Sequence, residues 1–184
     1  MLHSRPSHFQ PRPVSRAVPL ALLLTVSLLL GGCAGYRLGP TGGAAAGEKS
    51  VQVKPFLNQT LEPRLPDACT RALRQQLQRD GTYRLATRQD GDIVLSCILT
   101  RYQRFELSLA PNDALTVRDF RLLLTAQVTA TERSSGKVIL NRPVNGVTLI
   151  RVGSDLPSAE RQALPLLAAD LARNITALLA DGTW

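Results

Sequence analysis

The segment from Phe120 to Thr131 alternates between apolar and polar side chains along almost all of its length. Successive side chains of a β-strand point to opposite faces of the sheet, so this period of two predicts a strand with one apolar and one polar face. The apolar set is Phe120, Leu122, Leu124, Ala126, Val128 and Ala130, and the polar set is Arg121, Thr125, Gln127, Thr129 and Thr131. A sheet with one apolar face needs a second layer to cover it, so the sequence predicts a layered fold.

Two segments have the apolar period of amphipathic helices. The first is predicted over Pro66 to Asp80, closed by Gly81, with an apolar stripe of Cys69, Ala72, Leu73 and Leu77. The second is predicted over Ser158 to Leu179, with a stripe of Leu164, Leu167, Leu171, Ile175 and Leu178. Pro165 is expected to kink this helix or to mark where a second helical segment begins.

Four further strands are predicted, at residues 50–56, 83–87, 93–100 and 137–150, and Pro143 predicts an edge position or a bulge in the last of them. The order is therefore strand, helix, several strands, helix. We predict an α+β fold, a two-layer sandwich with two helices packed on one face of a mostly antiparallel four- to five-stranded sheet. One domain at residues 50–184 would contain it, and its first strand–helix–strand step is expected to be right-handed.

The N-terminus has the pattern of a secretory signal. Residues 1–17 carry three arginines and no acid, and the apolar run from Val18 to Leu30 is too short to span a bilayer comfortably. The run ends in Leu30-Gly31-Gly32-Cys33, which resembles a bacterial lipobox. We therefore expect removal of residues 1–32 and lipidation of Cys33. Residues 33–49, rich in Gly and Ala, are expected to form a flexible tether, and Ala34 in place of Asp favours the outer membrane.

The composition of the mature chain argues against catalysis. The two histidines, His3 and His8, both lie in the predicted signal, so Ser–His, Cys–His and histidine–metal sites are excluded after cleavage. The carboxylates are scattered, and Asp90 and Asp92 flank a turn glycine, so no metal site or cofactor is predicted. The net charge of +8 falls to +5 when the three arginines of the signal are removed. An exported chain of this charge is expected to meet anionic lipid or an acidic protein surface rather than nucleic acid.

Six short motifs in chain order resemble the LptE family of lipopolysaccharide-assembly lipoproteins. They are Gly32-Cys-Ala-Gly-Tyr-Arg-Leu38, Val51-Gln-Val-Lys-Pro-Phe-Leu-Asn-Gln-Thr-Leu-Glu-Pro63, Thr70-Arg-Ala-Leu-Arg74, Asp92-Ile-Val-Leu95, Asp119-Phe-Arg-Leu122 and Ser135-Gly-Lys-Val138. The chain departs from the family pattern at Cys69, Cys97 and Leu140. The resemblance implies a protein that is not an enzyme. It would be lipid-anchored at the periplasmic face of the outer membrane, plug and help to fold the β-barrel LptD, and assist lipopolysaccharide insertion into the outer leaflet.

Basic residues on the predicted strands are the candidates for contact with lipopolysaccharide phosphate, because a guanidinium binds phosphate through two charge-assisted hydrogen bonds. They are Arg101, Arg104, Arg118, Arg121, Lys137 and Arg142. The alternative, that they form a solvated face, stays open.

The segment from Phe105 to Val117 is predicted to be a long loop. Its apolar residues Phe105, Leu107, Leu109 and Leu115 are candidates for contact with a barrel wall. The alternative is an ordinary hairpin tip that folds over the core.

Cys69 and Cys97 are both predicted at the interface between the first helix and the sheet. They would form a disulfide in the oxidising periplasm or remain two small buried apolar residues. Two other function classes also stay open. One is a different tethered interaction module, such as an activator of a cell-wall synthase or a component of a secretion pore; the other is a periplasmic hydrolase.

Overall fold

The computed structural model describes residues 47–110, 113–152 and 155–181, with the side chains of residues 109–117 outside that description. The strands are β1 (Ser50–Val53), β2 (Leu57–Asn58), β3 (Arg84–Leu85), β4 (Ile93–Ala110), β5 (Asp113–Glu132) and β6 (Val138–Arg151). The helices are α1 (Leu65–Asp80) and α2 (Leu156–Asp181).

The strands form one six-stranded sheet in the order β3-β1-β4-β5-β6, with β2 also paired to β4. The long strands β4, β5 and β6 are antiparallel, whereas β1 and β2 run parallel to β4. Both helices pack on one face of this sheet, which confirms the predicted two-layer α+β fold. Two of the strands have only two residues each.

The core lies between the helices and the face of β5 that the alternation predicted. Leu122, Leu124, Ala126, Val128 and Ala130 are completely buried. The helices contribute buried leucines to the same core, among them Leu73 and Leu77 of α1 and Leu167 and Leu171 of α2. Burying one leucine side chain contributes about 1.5–3 kcal/mol, so this packing supplies most of the force that holds the two layers together.

Helix α1 ends where the sequence predicted. Gly81 has the left-handed φ of 73° and its N–H donates to the carbonyl of Leu77 at 3.2 Å. A residue with a Cβ is strained in that conformation, which explains why glycine terminates the helix. Three of the four predicted stripe residues, Cys69, Leu73 and Leu77, are buried, and Leu65 extends the stripe by one turn.

Helix α2 continues through Pro165 as a single helix, so the prediction of a second helical segment there is wrong. Pro165 lies on the exposed face, where water can bond the carbonyl that has lost its helical partner. The buried stripe ends at Leu179 rather than Leu178. The helix is long and apolar enough to cross a membrane, but half of its most apolar window is buried inside the fold, as is typical of a core helix.

In the segment predicted as a long loop, residues 105–110 continue β4 and residues 113–117 begin β5. The pairing of β4 with β5 is irregular at Thr100 and again beyond Glu106, so the segment lacks the regular alternation that predicts a strand. The bulge at Thr100 shifts the alternation of β4 by one residue. Leu99 pairs with Ala126 and Arg101 pairs with Thr125. Between Thr100 and Glu106, Tyr102 and Arg104 therefore lie on the helix side of the sheet, and Arg101, Gln103 and Phe105 lie on the open face. Beyond Glu106 the register shifts again, and Ser108 pairs with Asp119.

Strand β6 is an edge strand, as Pro143 predicted. At Gly146 it makes its closest approach to α2. A Cβ at this position would lie 2.7 Å from the Cβ and 2.8 Å from the backbone N of Leu171. The missing side chain therefore lets the helix rest directly on the strand.

Replacing Gly146 with Ala is expected to destabilise the protein by about 1–3 kcal/mol, because α2 must move off β6 to make room. Val147→Ala, at the exposed neighbouring residue, serves as the matched control and is expected to change stability by less than about 0.5 kcal/mol. Urea denaturation of both variants would measure the difference. Equal stability of the two variants would contradict this description of the helix–strand contact.

Candidate functional site

The sheet face opposite the helices is uncovered within the described residues, and its middle is a ladder of uncharged polar side chains. The Thr125 hydroxyl donates to Oδ1 of Asn145 at 2.9 Å. The Gln127 amide donates to Oδ1 of Asn141 at 2.6 Å, and Thr129 donates to the same oxygen at 3.3 Å. These cross-strand bonds hold the side chains in place and leave a flat polar surface, which we call the open face.

One end of the open face is apolar. The register places Phe105, Arg121 and Leu149 in one row across β4, β5 and β6. Phe105 is 43% exposed, Leu149 64% and neighbouring Val147 39%. Phe105, Val147 and Leu149 form the apolar end of the open face, with the exposed guanidinium-bearing Arg121 among them. This is an unusual surface to leave in water and marks a candidate contact area.

Beyond this end, β4 and β5 continue as a ribbon of only two strands. The edge strand β6 stops at Arg151, which pairs with Asp119. Leu109 then pairs with Val117 and Ala110 with Asp113. Leu107, at the base of the ribbon, is 46% exposed, while the side chains of Leu109 and Leu115 lie outside the described set. A two-stranded ribbon without a covering layer is only marginally stable in water.

A groove of about 440 Å³ lies where β4 emerges from the cover of β2. One wall is the turn that follows β2. Its shape is set by Asn58, whose Oδ1 accepts from the Thr60 N–H at 3.0 Å and whose amide donates to the Glu62 carbonyl at 3.0 Å. The other wall is β4, which contributes Arg101 and Arg104. The bulge at Thr100 gives these two arginines opposite directions, but both reach the groove at the uncovered edge of β4.

The two arginines differ in their electrostatic surroundings. Nη1 of Arg104 donates to Oε1 of Glu160 at 3.0 Å, and the Tyr102 hydroxyl donates to the same oxygen at 3.5 Å. Burial, together with the negative charge of Glu160, raises the pKa of Tyr102 to about 12, so it stays a neutral donor. Arg101 makes no ion pair with any residue that the structure describes. Its guanidinium is therefore available to an anion.

The six predicted basic residues do not form one cluster. Arg101 and Arg121 lie on the open face, whereas Arg104 lies on the helix side and pairs with Glu160. Arg142 lies opposite the buried Val128 on the edge strand. Lys137 belongs to the hairpin turn at the far end of the sheet. Arg118, half-buried on β5, receives the N–H of Val152 on its carbonyl.

Cys69 and Cys97 are buried as free thiols. Burial raises the pKa of the Cys69 thiol to about 12. The pKa of Cys97 also rises to about 12, through burial first and the neighbouring Cys69 second. Both thiols are protonated and shielded, so they behave as small apolar core residues. Cys33, the predicted lipidation site, lies outside the described residues.

Sequence reasoning missed two features of this surface. The shape of the groove depends on the spacing of Asn58, Thr60 and Glu62, which the sequence indicated only as a turn. In the structure the Thr60 N–H donates to Asn58, and the Glu62 N–H donates to the Thr60 hydroxyl. The apolar end of the open face was missed because Phe105 and Leu149 become neighbours only through the register of three strands. In the part of the chain described, no group of three or more His, Cys, Asp or Glu residues is placed to hold a metal ion.

Comparison with protein families gives one match. Residues 48–179, well over half of the chain, match the family described as LptE, lipopolysaccharide-assembly. A search among curated proteins found no significant match.

Among solved structures, a hypothetical protein from Chlamydia trachomatis has a TM-score of 0.54 and 11% identity, covering 74% of this chain and 96% of its own. A protein from Xanthomonas campestris has a TM-score of 0.53 and 12% identity, covering 79% and 92%. The rare lipoprotein B from Shewanella oneidensis is similar more loosely, with a TM-score of 0.44, 15% identity and coverage of 70% and 93%. The first two likenesses show a shared fold.

Proposed function

Because this chain belongs to the LptE family of lipopolysaccharide-assembly proteins, which is not a family of enzymes, we propose that it plugs and helps to fold an LptD-type outer-membrane β-barrel. In this role it assists lipopolysaccharide insertion into the outer leaflet. The observation that carries the proposal is the family match across residues 48–179. This match spans the whole sheet, all of α1 and all of α2 except its last two residues. The protein acts by binding and by its shape, without a chemical step.

Attachment to the membrane is part of the proposal. The Leu30-Gly31-Gly32-Cys33 motif is the basis for lipidation of Cys33 after removal of residues 1–32. Residues 33–49 then serve as a tether to the domain at 50–184, at the periplasmic face of the outer membrane. Two or three acyl chains hold such a protein stably, whereas one gives only marginal binding.

The open face supports a position against the inside of a barrel. Outer-membrane barrels have polar interiors, and the uncharged ladder of Thr125, Gln127 and Asn141 suits such a wall. The apolar end of the open face and the two-stranded ribbon beside it supply an anchor of the kind that carries most binding energy in interfaces. The helical layer, by contrast, is required for the protein's own core.

The groove at Arg101 supports contact with lipopolysaccharide. Arg101 has no acidic partner among the described residues, and Arg104, which reaches the same groove, is paired with Glu160. The other acid of the groove, Glu62, is paired with Arg64. A phosphate group entering the groove would meet both guanidinium groups, and the exposed Leu61 on the facing turn would contact an acyl chain. We therefore place Arg101 and Arg104 first among the six basic candidates, with Arg118, Arg121, Lys137 and Arg142 as weaker ones.

An affinity-tagged copy purified from membranes is expected to bring down an LptD-type barrel in a ratio of about one to one. The double variant Phe105→Ser, Leu107→Ser is expected to recover about tenfold less barrel. Because both side chains are about half-buried, its own stability should fall by no more than about 2 kcal/mol, so it stays folded. Val138→Ser, an equally exposed apolar residue at the other end of the sheet, is the matched control. Recovery of only soluble or inner-membrane partners would contradict the proposal.

Replacing Arg101 with Ala is expected to weaken lipopolysaccharide binding by the purified lipoprotein about tenfold, since a charge-assisted hydrogen bond contributes about 1.5–3 kcal/mol. Arg101→Lys keeps the charge but cannot make two parallel hydrogen bonds to one phosphate, so its affinity should lie between those of the wild type and Arg101→Ala. Lys137→Ala, a weaker candidate at the far turn, is the comparison and is expected to lose much less affinity than Arg101→Ala. Fluorescence titration with labelled lipopolysaccharide measures the affinity of all three variants. An equal loss of affinity in Lys137→Ala and Arg101→Ala would contradict binding in the groove.

A further inference from the structure

The exposed edge of β6 is blocked along its middle. Pro143 has no N–H to offer. Two residues along, the carbonyl of Asn145 accepts from the Asn174 side-chain amide at 2.8 Å. Two residues further, the N–H of Val147 donates to Oδ2 of Asp170, also at 2.8 Å. These contacts close the edge against pairing with another strand, as proteins commonly do.

Both capping side chains belong to one stripe of α2. Residues four apart on a helix lie above one another with a rise of about 6.0 Å, and alternate residues of a strand are about 6.6 Å apart, so the two rows stay in step. Asn174 serves Asn145 and Asp170 serves Val147. The next step along both rows brings Leu166 opposite Leu149. A leucine side chain cannot accept a hydrogen bond from a backbone N–H, so α2 no longer caps the edge of β6 at Leu149.

The result is a groove between the end of β6 and the first half of α2, with a volume of about 360 Å³. Leu166, 61% exposed, lines it from α2, and the backbone of Leu149 lines it from β6, since the 64% exposed side chain of Leu149 points to the open face. The polar residues Asp155, Ser158 and Gln162 also line it. Its floor includes Ala159 and Ala163, whose small side chains leave the space open. The N–H of Leu149 points to this side, because Val147, two residues before it, does so. No partner for it is found among the described residues.

We propose that this groove binds an extended segment of a partner protein, which adds a short strand to β6 at Leu149–Arg151. The unpaired backbone groups of the edge recognise another peptide backbone, and one apolar side chain of the segment, on the helix side of the sheet, packs on Ala159 and Ala163 beside Leu166. The chemistry is that of a peptide, since an acyl chain would fill the apolar part but leave the backbone groups unpaired.

The segment comes from another protein rather than from this chain's own tether. Gly47 precedes β1, and Val51 of β1 is three strand spacings and eleven residues of strand length from the groove, about 40 Å away. The 14 residues from Cys33 to Gly47 extend to at most about 48 Å. Only residues beside the proposed lipidated cysteine would arrive, which leaves no stretch to lie along the edge. The inference does not depend on the identity of a barrel partner.

The test places the photo-crosslinker benzoylphenylalanine at position 166 in the full lipidated chain, in cells of its native host. We expect an adduct with a different protein, mapped by mass spectrometry to an extended segment of that protein. Leu149→Pro removes the outward N–H, as Pro143 already does on the same edge, and should lower the adduct yield about fivefold or more. Leu149→Thr keeps the N–H and should retain more than half of the yield. Melting curves from circular dichroism establish that both variants are folded.

Four results would overturn the inference. They are the absence of an adduct, an adduct only with lipid or with a second copy of this chain, an unchanged yield in Leu149→Pro, and equal losses in Leu149→Pro and Leu149→Thr. An adduct that maps to a protein other than a barrel, with the expected dependence on Leu149, would support this inference even if the tagged copy fails to bring down a barrel.

Discussion

The structure depends on the direct contact of two helices with one face of the sheet. Helix α2 reaches that face closely only because Gly146 has no side chain, so Leu167 and Leu171 pack onto the strands without a gap. The same close approach brings Asp170 and Asn174 within hydrogen-bond distance of the edge of β6. One small residue thus serves both the core and the protection of the sheet edge.

Because both helices lie on the same side, no other element of the described residues covers the opposite face of the sheet. In the middle of this face, the polar side chains of threonine, asparagine and glutamine form hydrogen bonds with one another. The exposed apolar side chains of its apolar end and of the projecting ribbon are not covered by any described residue. A surface of this kind gains most by binding a partner. This division between a helical layer for stability and a sheet face for contact suits a family that assists assembly without catalysing a reaction.

Much of the fold could be predicted because the relevant signals are local. The alternation of β5, the apolar stripes of the helices and the glycine after α1 are each visible within a dozen residues. The end of β4 could not be predicted, since the bulge at Thr100 and the register shifts beyond Glu106 interrupt the regular alternation of a strand. The candidate site was harder for the same reason. The directions of Arg101 and Arg104 follow from the bulge, and the contact of Phe105 with the row of Leu149 follows from strand register.

Hydrogen–deuterium exchange, read by mass spectrometry on the purified lipoprotein alone and bound to the proposed barrel partner, tests the central claim most directly. The account predicts that amides of residues 105–110 and 113–121 exchange about tenfold more slowly in the complex, because a two-stranded ribbon opens readily until something covers it. Amides of α1 should be unchanged. Unaltered exchange in the ribbon, or protection confined to α1, would contradict the claim that the uncovered side of the sheet is the working surface.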